Sequence, residues 1–421
     1  RDTTDPQARE ERQRDKEVHK ARLATLVREQ PLLAEAIDRM VEHYNGRPGE
    51  RESFDALDSL LEAQAYRLAY WRVASDEINY RRFFDINDLA ALRMENPATF
   101  EATHRFVLDL AVEGKIDGIR IDHPDGLYDP AGYFERLQSR YAQLAGADVD
   151  PQTKPLYVVI EKIAAPHEDI PQNWPVYGTT GYRYANVLNG VFVDTAAKSA
   201  MTRTWSSFVG EEALPFEEQA YRGKRLMMRV ALAAELTVLS NRLLRIARLD
   251  RRTRDFTLNT LRQALAEVVA CFPVYRTYVN ATASAQDRRY IDWAVSQAKR
   301  RIPAAEDTIF DFIRNVLLLQ APEGAQQEVL DEYRAIAMRF QQYTAPVTAK
   351  GVEDTAFYRY NRLVSLNEVG GDPHQFGMTV KAFHGASLAR LQHWPHTMLA
   401  SSTHDNKRSE DVRARINVLS E

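Results

Sequence analysis

A chain of 421 residues, 44% hydrophobic and 27% charged, is long enough and apolar enough to bury a substantial core, which excludes the disordered and fibrous classes and fits one to three globular domains. Lys and Arg number 55 against 59 Asp and Glu, and a formal charge of -4 argues against nucleic acid or an anionic membrane as the main partner and for a neutral substrate. One cysteine, Cys271, excludes an internal disulfide framework, and its apolar neighbours Val268, Val269 and Phe272 suit a core thiol better than a nucleophile.

From Pro6 to about Tyr44, charged residues alternate with Leu23, Leu26, Val27, Leu32, Leu33, Ile37 and Val41 at helical spacing, which predicts a solvated helical pair. A second helical stretch runs from Phe54 to about Tyr70. Pro97 can occupy the first turn of a helix reaching Glu113, where Gly114 and Lys115 end it, and Ile116 to Ile121 then alternates as a strand. Leu156 to Ile160 is a continuous apolar run, the pattern of a strand buried on both faces of a parallel sheet. Gly178 to Tyr182 lacks the length and the lysine of a phosphate loop and reads as a turn. Between about Thr195 and Tyr343 the spacing predicts long amphipathic helices over Leu226–Leu249, Phe256–Val269, Ala285–Arg300 and Thr308–Leu319, a helical subdomain inserted into an α/β order. Strand-like chain resumes at Ala345–Thr348 and again at Thr397–Ser402. No run approaches the roughly 20 apolar residues of a membrane span. With a polar N-terminus unlike a signal peptide, a cytoplasmic protein is expected, although the chain begins with Arg1 and not Met.

Three acidic strand ends carry the chemistry. Gly118-Ile119-Arg120-Ile121-Asp122-His123 places an arginine two residues before a carboxylate, so both point to one side of a strand and the cation favours the ionised form. Asp122 is the candidate nucleophile. Glu161 follows the apolar run without such an arginine, and partial burial would raise its pKa toward that of a general acid; Lys162, as its strand neighbour, points to the opposite face. Asp405, preceded by His404, would be a third carboxylate, gripping sugar hydroxyls and steadying a cationic transition state. Any one strand-end Asp is more often a helix cap or an ion pair, but all three in this order make the equipment of a retaining glycosidase, which needs two carboxyl groups about 5 to 5.5 Å apart. Trp71, Phe83, Tyr128, Trp174, Tyr177, Tyr358, Tyr360 and Trp394 lie near these motifs and can stack on sugars, although most aromatics are core. His123, His404 and His167 sit on separate segments without metal-ligand spacing, so no metal site is expected, and the carboxylate chemistry requires no cofactor.

These motifs resemble the α-amylase superfamily, glycoside hydrolase family 13. Longer strings are similar to its trehalose-forming transglycosylases: Leu60 to Arg72, Ile78 to Asp88, Gly178 to Asn186, Lys350 to Tyr360 and Ser402 to Arg413. The resemblance implies a (β/α)8 TIM barrel with an inserted helical subdomain: a helical segment over 1–75, barrel portions over 76–195 and 344–421, and the insertion over 196–343. It implies an isomerase, an intramolecular transferase that converts the reducing-end α-1,4 bond of a maltooligosaccharide to an α,α-1,1 bond in trehalose biosynthesis. Asp122 is then the nucleophile, Glu161 the acid/base and Asp405 the stabiliser, with Arg120, His123 and His404 in support. Trp174, Tyr182 and Tyr358 are expected to help close the pocket against water. A pathway partner that releases free trehalose, a trehalohydrolase, is implied as well.

The superfamily's upstream Asp and Asn-His pair have no match before Asp122, and Glu421 follows soon after the His404-Asp405 motif. The expectation is therefore a segment holding the second half of a barrel, with open sheet edges. Two alternatives stay open: an α-glucan hydrolase or 4-α-glucanotransferase, which the same carboxylates would serve, and a glucan-binding fragment without turnover.

Overall fold

A computed structural model describes residues 5–147, 153–210, 213–303 and 306–421, which fall into two compact units, Arg1–Arg72 and Val73–Glu421. In the first unit, Asp5 caps helix α1 (Pro6–Glu29) by accepting from the Gln7 amide at 3.1 Å. Helix α2 (Pro31–Asn45) stops at Gly46, whose φ of 64° and contact with the Phe54 ring exclude a side chain. Helix α3 covers Asp55–Glu62 only, so the helix expected as far as Tyr70 is eight residues too long. Tyr66, Leu68 and Tyr70 are each more than half exposed, and a helix draws most of its stability from burying an apolar face.

The second unit begins with α4 (Ala74–Glu77) and a short antiparallel pair, β1 (Arg82–Phe83) and β2 (Ile86–Ala90), turning at Phe84 with φ 53°. The Asn96 side chain caps α5 (Pro97–Val112) by accepting from two amides, and Gly114 at φ 68° ends it. Then follow β3 (Gly118–Ile121), α6 (Pro130–Leu144), β4 (Tyr157–Ile160) and β5 (Gly178–Thr179). The three strands form a parallel sheet in the order β3-β4-β5, with Gly118 paired to Tyr157 and Ile121 to Ile160. As the apolar run predicts, Val158, Val159 and Ile160 are buried, and helices α5 and α6 cover Val158 and Ile160 with Leu108, Phe134 and Leu137. Among the described residues this sheet is open and the chain is mostly helical; a closed barrel is not contained in it.

Helix α7 (Tyr182–Val191) starts after Gly181, where φ is 96° and a β-carbon would come within 2.6 Å of the Ala400 amide nitrogen. Beyond α8 (Lys198–Val209), helices α9 (Phe216–Val230), α10 (Ala233–Ala247), α11 (Leu258–Ala270), α12 (Ala285–Arg301), α13 (Asp307–Leu317) and α14 (Gln327–Thr348) bury one large apolar core. The strand expected at Ala345–Thr348 is instead the last turn of α14. Pro346 argues against a helix interior and the β-branched Val347 and Thr348 carry a strand signal, but Ala345 and Val347 are wholly buried and packing decides. The helix passes directly into a π-turn at Ala349–Glu353.

The strand expected at Thr397–Ser402, after α15 (Val380–His393), is also absent. That segment meets β5 through one backbone bond, Met398 N to Thr179 O at 3.1 Å, while the Thr397 hydroxyl takes the Thr179 amide at 2.9 Å. A side chain has replaced a rung of the ladder. Helix α16 (Glu410–Asn417) closes the chain.

Candidate active site

The parallel register carried one residue past β3 and β4 sets Asp122 beside Glu161, and the Glu161 amide donates to Ile121 O at 2.9 Å to hold that alignment. Arg120 Nη1 reaches Asp122 Oδ1 at 2.6 Å, as the two-residue spacing predicts, and Nη2 lies 3.8 Å from Glu161 Oε2. The two carboxylates differ in setting: the Asp122 side chain is 56% exposed and that of Glu161 15%. Burial pushes the Glu161 pKa up to about 8, with the charges of Asp122 and Asp405 adding to the rise and the His123 amide and Arg120 opposing it.

His123 stands in the left-handed region at φ 42°, which turns its backbone N–H onto Glu161 Oε2 at 2.7 Å. Its imidazole is enclosed by Phe83 and Phe84, with ring centroids 5.6 and 4.5 Å away. Burial brings its pKa down to about 4, so the ring is neutral at physiological pH. Next to Asp122 and His123, a cavity of about 320 Å3 opens, walled by Phe83, Phe84, Leu232, Gln342 and Tyr343; neither Glu161 nor Asp405 lines it.

From the opposite side, Asp405 Oδ2 accepts from the Tyr182 hydroxyl at 2.7 Å, and His404 Nε2 is 3.4 Å from Oδ1. Tyr182 is buried, and burial above all keeps its hydroxyl protonated by raising its pKa. It thus presents its hydroxyl to Asp405 as a donor, with its ring closed off from solvent. Tyr358 is 58% exposed, with the Lys407 ammonium 5.7 Å from its ring centre. Trp174 departs from expectation. It is 2% exposed, wedged between Phe134 and Tyr278 at centroid distances of 5.2 and 4.7 Å, and has no face free to stack on a sugar. Cys271 is half-buried, and burial raises its thiol to about 11, which suits packing and not nucleophilic attack.

Sequence reasoning missed a second layer. Glu353, at the end of the π-turn, is half-buried with its carboxylate accepting from the Tyr275 hydroxyl, and desolvation raises its pKa to about 7, with the charges of Asp354 and Asp405 contributing. Lys350 joins Asp85 at 3.3 Å to Asp354 at 3.1 Å, and Lys407 reaches Asp354 at 2.9 Å. Glu353 lies in one of the strings singled out by resemblance, but Tyr275 comes from the helical region, and no local spacing ties the two. Among the described residues, no group of three or more His, Cys, Asp and Glu side chains could hold a metal ion.

The geometry can be set against known proteins. No family model matches the chain. A Mycobacterium tuberculosis (strain CDC 1551 / Oshkosh) protein, provisionally named a maltooligosyl trehalose synthase, is 34% identical over 358 residues, covering 85% of this chain and 42% of its own length. The solved maltooligosyltrehalose synthase of Arthrobacter ramosus superposes with a TM-score of 0.72 at 35% identity, over 89% of this chain and 43% of that one. The DSM5389 glycosyltrehalose synthase gives 0.65 at 32% identity, over 87% and 41%. The chain is thus related to these enzymes over most of its own length and spans less than half of theirs.

Proposed function

We propose that this chain carries the catalytic carboxylates of a maltooligosyltrehalose synthase. The observation that carries the reading is the pair Asp122 and Glu161, in register at adjacent strand ends, one exposed beside Arg120 and the other buried and pushed up to about 8. That difference separates a nucleophile from an acid.

In this reading Asp122 attacks the anomeric carbon of the penultimate sugar as Glu161 protonates the oxygen leaving with the reducing-end glucose. A covalent glycosyl-enzyme results. The freed glucose turns in place, ionised Glu161 takes the proton from its anomeric hydroxyl, and that oxygen displaces Asp122 to form the α,α-1,1 bond. Asp405, held by Tyr182 and His404, stabilises the cationic sugar in both steps. The three parallel strands are, on this view, consecutive members of a (β/α)8 barrel, whose catalytic groups stand at the C-terminal strand ends. The substrate is a maltooligosaccharide, the following enzyme a maltooligosyltrehalose trehalohydrolase acting on the product, and the compartment the cytoplasm. No helix among the described residues is long and apolar enough to cross a membrane.

A second reading, a hydrolase or 4-α-glucanotransferase, is favoured by one observation, the 56% exposure of Asp122, which leaves the intermediate open to water or another chain. Incubation with maltopentaose separates them. Loss of reducing ends without free glucose is the expected result; glucose or redistributed chain lengths would replace the proposal with the second reading.

Exclusion of water is a further requirement of transfer, because water captures the same intermediate. Tyr358→Ala and Tyr182→Ala are each expected to raise the glucose released per trehalose end formed by about 3- to 10-fold, the scale of a lost hydrogen bond or ring contact. An unchanged ratio in both variants would remove these residues from pocket closure.

A further inference from the structure

Behind the two carboxylates lies a buried charge cluster that the proposed chemistry does not use. The Lys162 side chain is wholly buried, its ammonium 3.1 Å from Asp125 Oδ2 and 2.8 Å from Glu168 Oε1, and it also donates to Ile163 O at 2.9 Å. Asp125 Oδ1 takes the Tyr278 hydroxyl at 2.5 Å, and Arg276 Nη1 donates to the backbone oxygens of Asp125 and Leu127 at 2.8 and 2.6 Å. Glu168 Oε2 receives the Ala165 amide at 3.0 Å. Two buried carboxylates thus face two buried cations, and removing one member strands the rest in a low-dielectric interior.

The cluster's position is informative. Lys162 follows Glu161 directly in the chain, whereas Asp125 sits two residues after His123 in the turn Pro124–Gly126, closed by Gly126 N to His123 O at 2.9 Å. A non-glycine residue holds a left-handed φ only where its surroundings enforce it, and His123 does so while aiming its N–H at Glu161. Asp125 is a buried side chain inside that turn, tied to Lys162 and Tyr278 and so able to hold the backbone that follows His123.

We infer that Lys162 and Asp125 are positioning residues for Glu161, acting through the Asp125-anchored turn on the His123 N–H that donates to the Glu161 carboxylate. The inference rests on the reading of Glu161 as the acid/base. The groups facing Glu161 directly are Arg120 from β3, Asp122 just beyond it, the His123 amide, Tyr182 from α7 and Asp405. Lys162 and Asp125 act through the turn, and that route has a sign of its own. A direct field effect of deleting the Asp125 charge would lower the Glu161 pKa, because a negative charge disfavours a second one. Loss of the amide hydrogen bond, which favours the ionised form, would raise it.

The test is a 13C NMR titration of the Glu161 carboxyl, assigned by its disappearance in Glu161→Gln, in wild type, Asp125→Ala, Lys162→Met and Tyr278→Phe. A rise of about one pH unit is expected in Asp125→Ala, the size of one hydrogen bond to a charged group. Lys162→Met should raise it too, and Tyr278→Phe, which alters no charge, should raise it by less. A fall or no change in Asp125→Ala overturns the inference. If Asp125→Ala and Lys162→Met do not fold, Tyr278→Phe decides alone, an unchanged carboxyl overturning the relay. The titration needs no turnover. A maltopentaose assay without trehalose ends would therefore sink the proposed function while leaving the relay to stand or fall by its own measurement.

Discussion

Asp122→Asn is expected to abolish the loss of reducing ends from maltopentaose, by about 10⁴-fold or more, the usual consequence of removing a covalent nucleophile. The amide cannot form the glycosyl ester, and Arg120, which holds Asp122 Oδ1 at 2.6 Å, is left with a neutral partner. Folding should be little affected, because Asp122 is more than half exposed and its pairing with Arg120 is a surface interaction, worth about 1 kcal/mol or less. A thermal unfolding curve close to wild type, together with lost turnover, is the result that assigns the role. Residual activity above about one part in a hundred would be incompatible with a nucleophile and would move attack to Asp405 or to water. The same variant has a second readout. Burial is the main cause of the raised Glu161 pKa, but the Asp122 charge adds to it, so Asp122→Asn should bring the Glu161 carboxyl down from about 8. On the proposed mechanism, esterification of Asp122 would remove that charge between the two steps. The drop in the variant therefore measures how far Glu161 is converted from acid to base between the two steps.

How much of this could be read from the sequence depends on how local each feature is. Arg120 and Asp122 share a strand face at a spacing of two, and the apolar run into Glu161 fixes both its strand and its burial, so their relation was visible in a dozen residues. Tyr182 and Asp405 meet across 223 residues, a separation that no local pattern spans and only the family resemblance bridges. The clusters Glu353–Tyr275 and Asp125–Lys162–Glu168–Tyr278 left no periodic trace, because each member comes from a different element and burial alone reveals the set. Trp174 misled because an aromatic near a motif looks the same whether it faces sugar or Phe134. At Ala345–Thr348 the local signal was real but weaker than the packing of α14, the usual way in which tertiary context overrides β propensity.

Glu161→Gln should separate the two carboxylate roles where loss of turnover alone cannot. With maltopentaose the leaving sugar oxygen needs a proton, so the variant is expected to lose about 10²- to 10⁴-fold in the first step. With α-maltosyl fluoride the leaving group departs without a strong acid, and the first step should recover most of that loss, as release of fluoride would show. Asp122→Asn should recover nothing, since no leaving group replaces a missing nucleophile. The pH dependence must agree. A group that acts as an acid is active when protonated, so the wild-type first step with maltopentaose should fall as pH rises through about 8, while the fluoride reaction stays flat across that range. A Glu161 carboxyl at an ordinary value would already be ionised at neutral pH and would give a rate falling between pH 4 and 6. Fluoride release that still failed in Glu161→Gln would mean that the side chain holds Arg120 and the His123 amide in place, 3.8 and 2.7 Å away, and not that it delivers a proton.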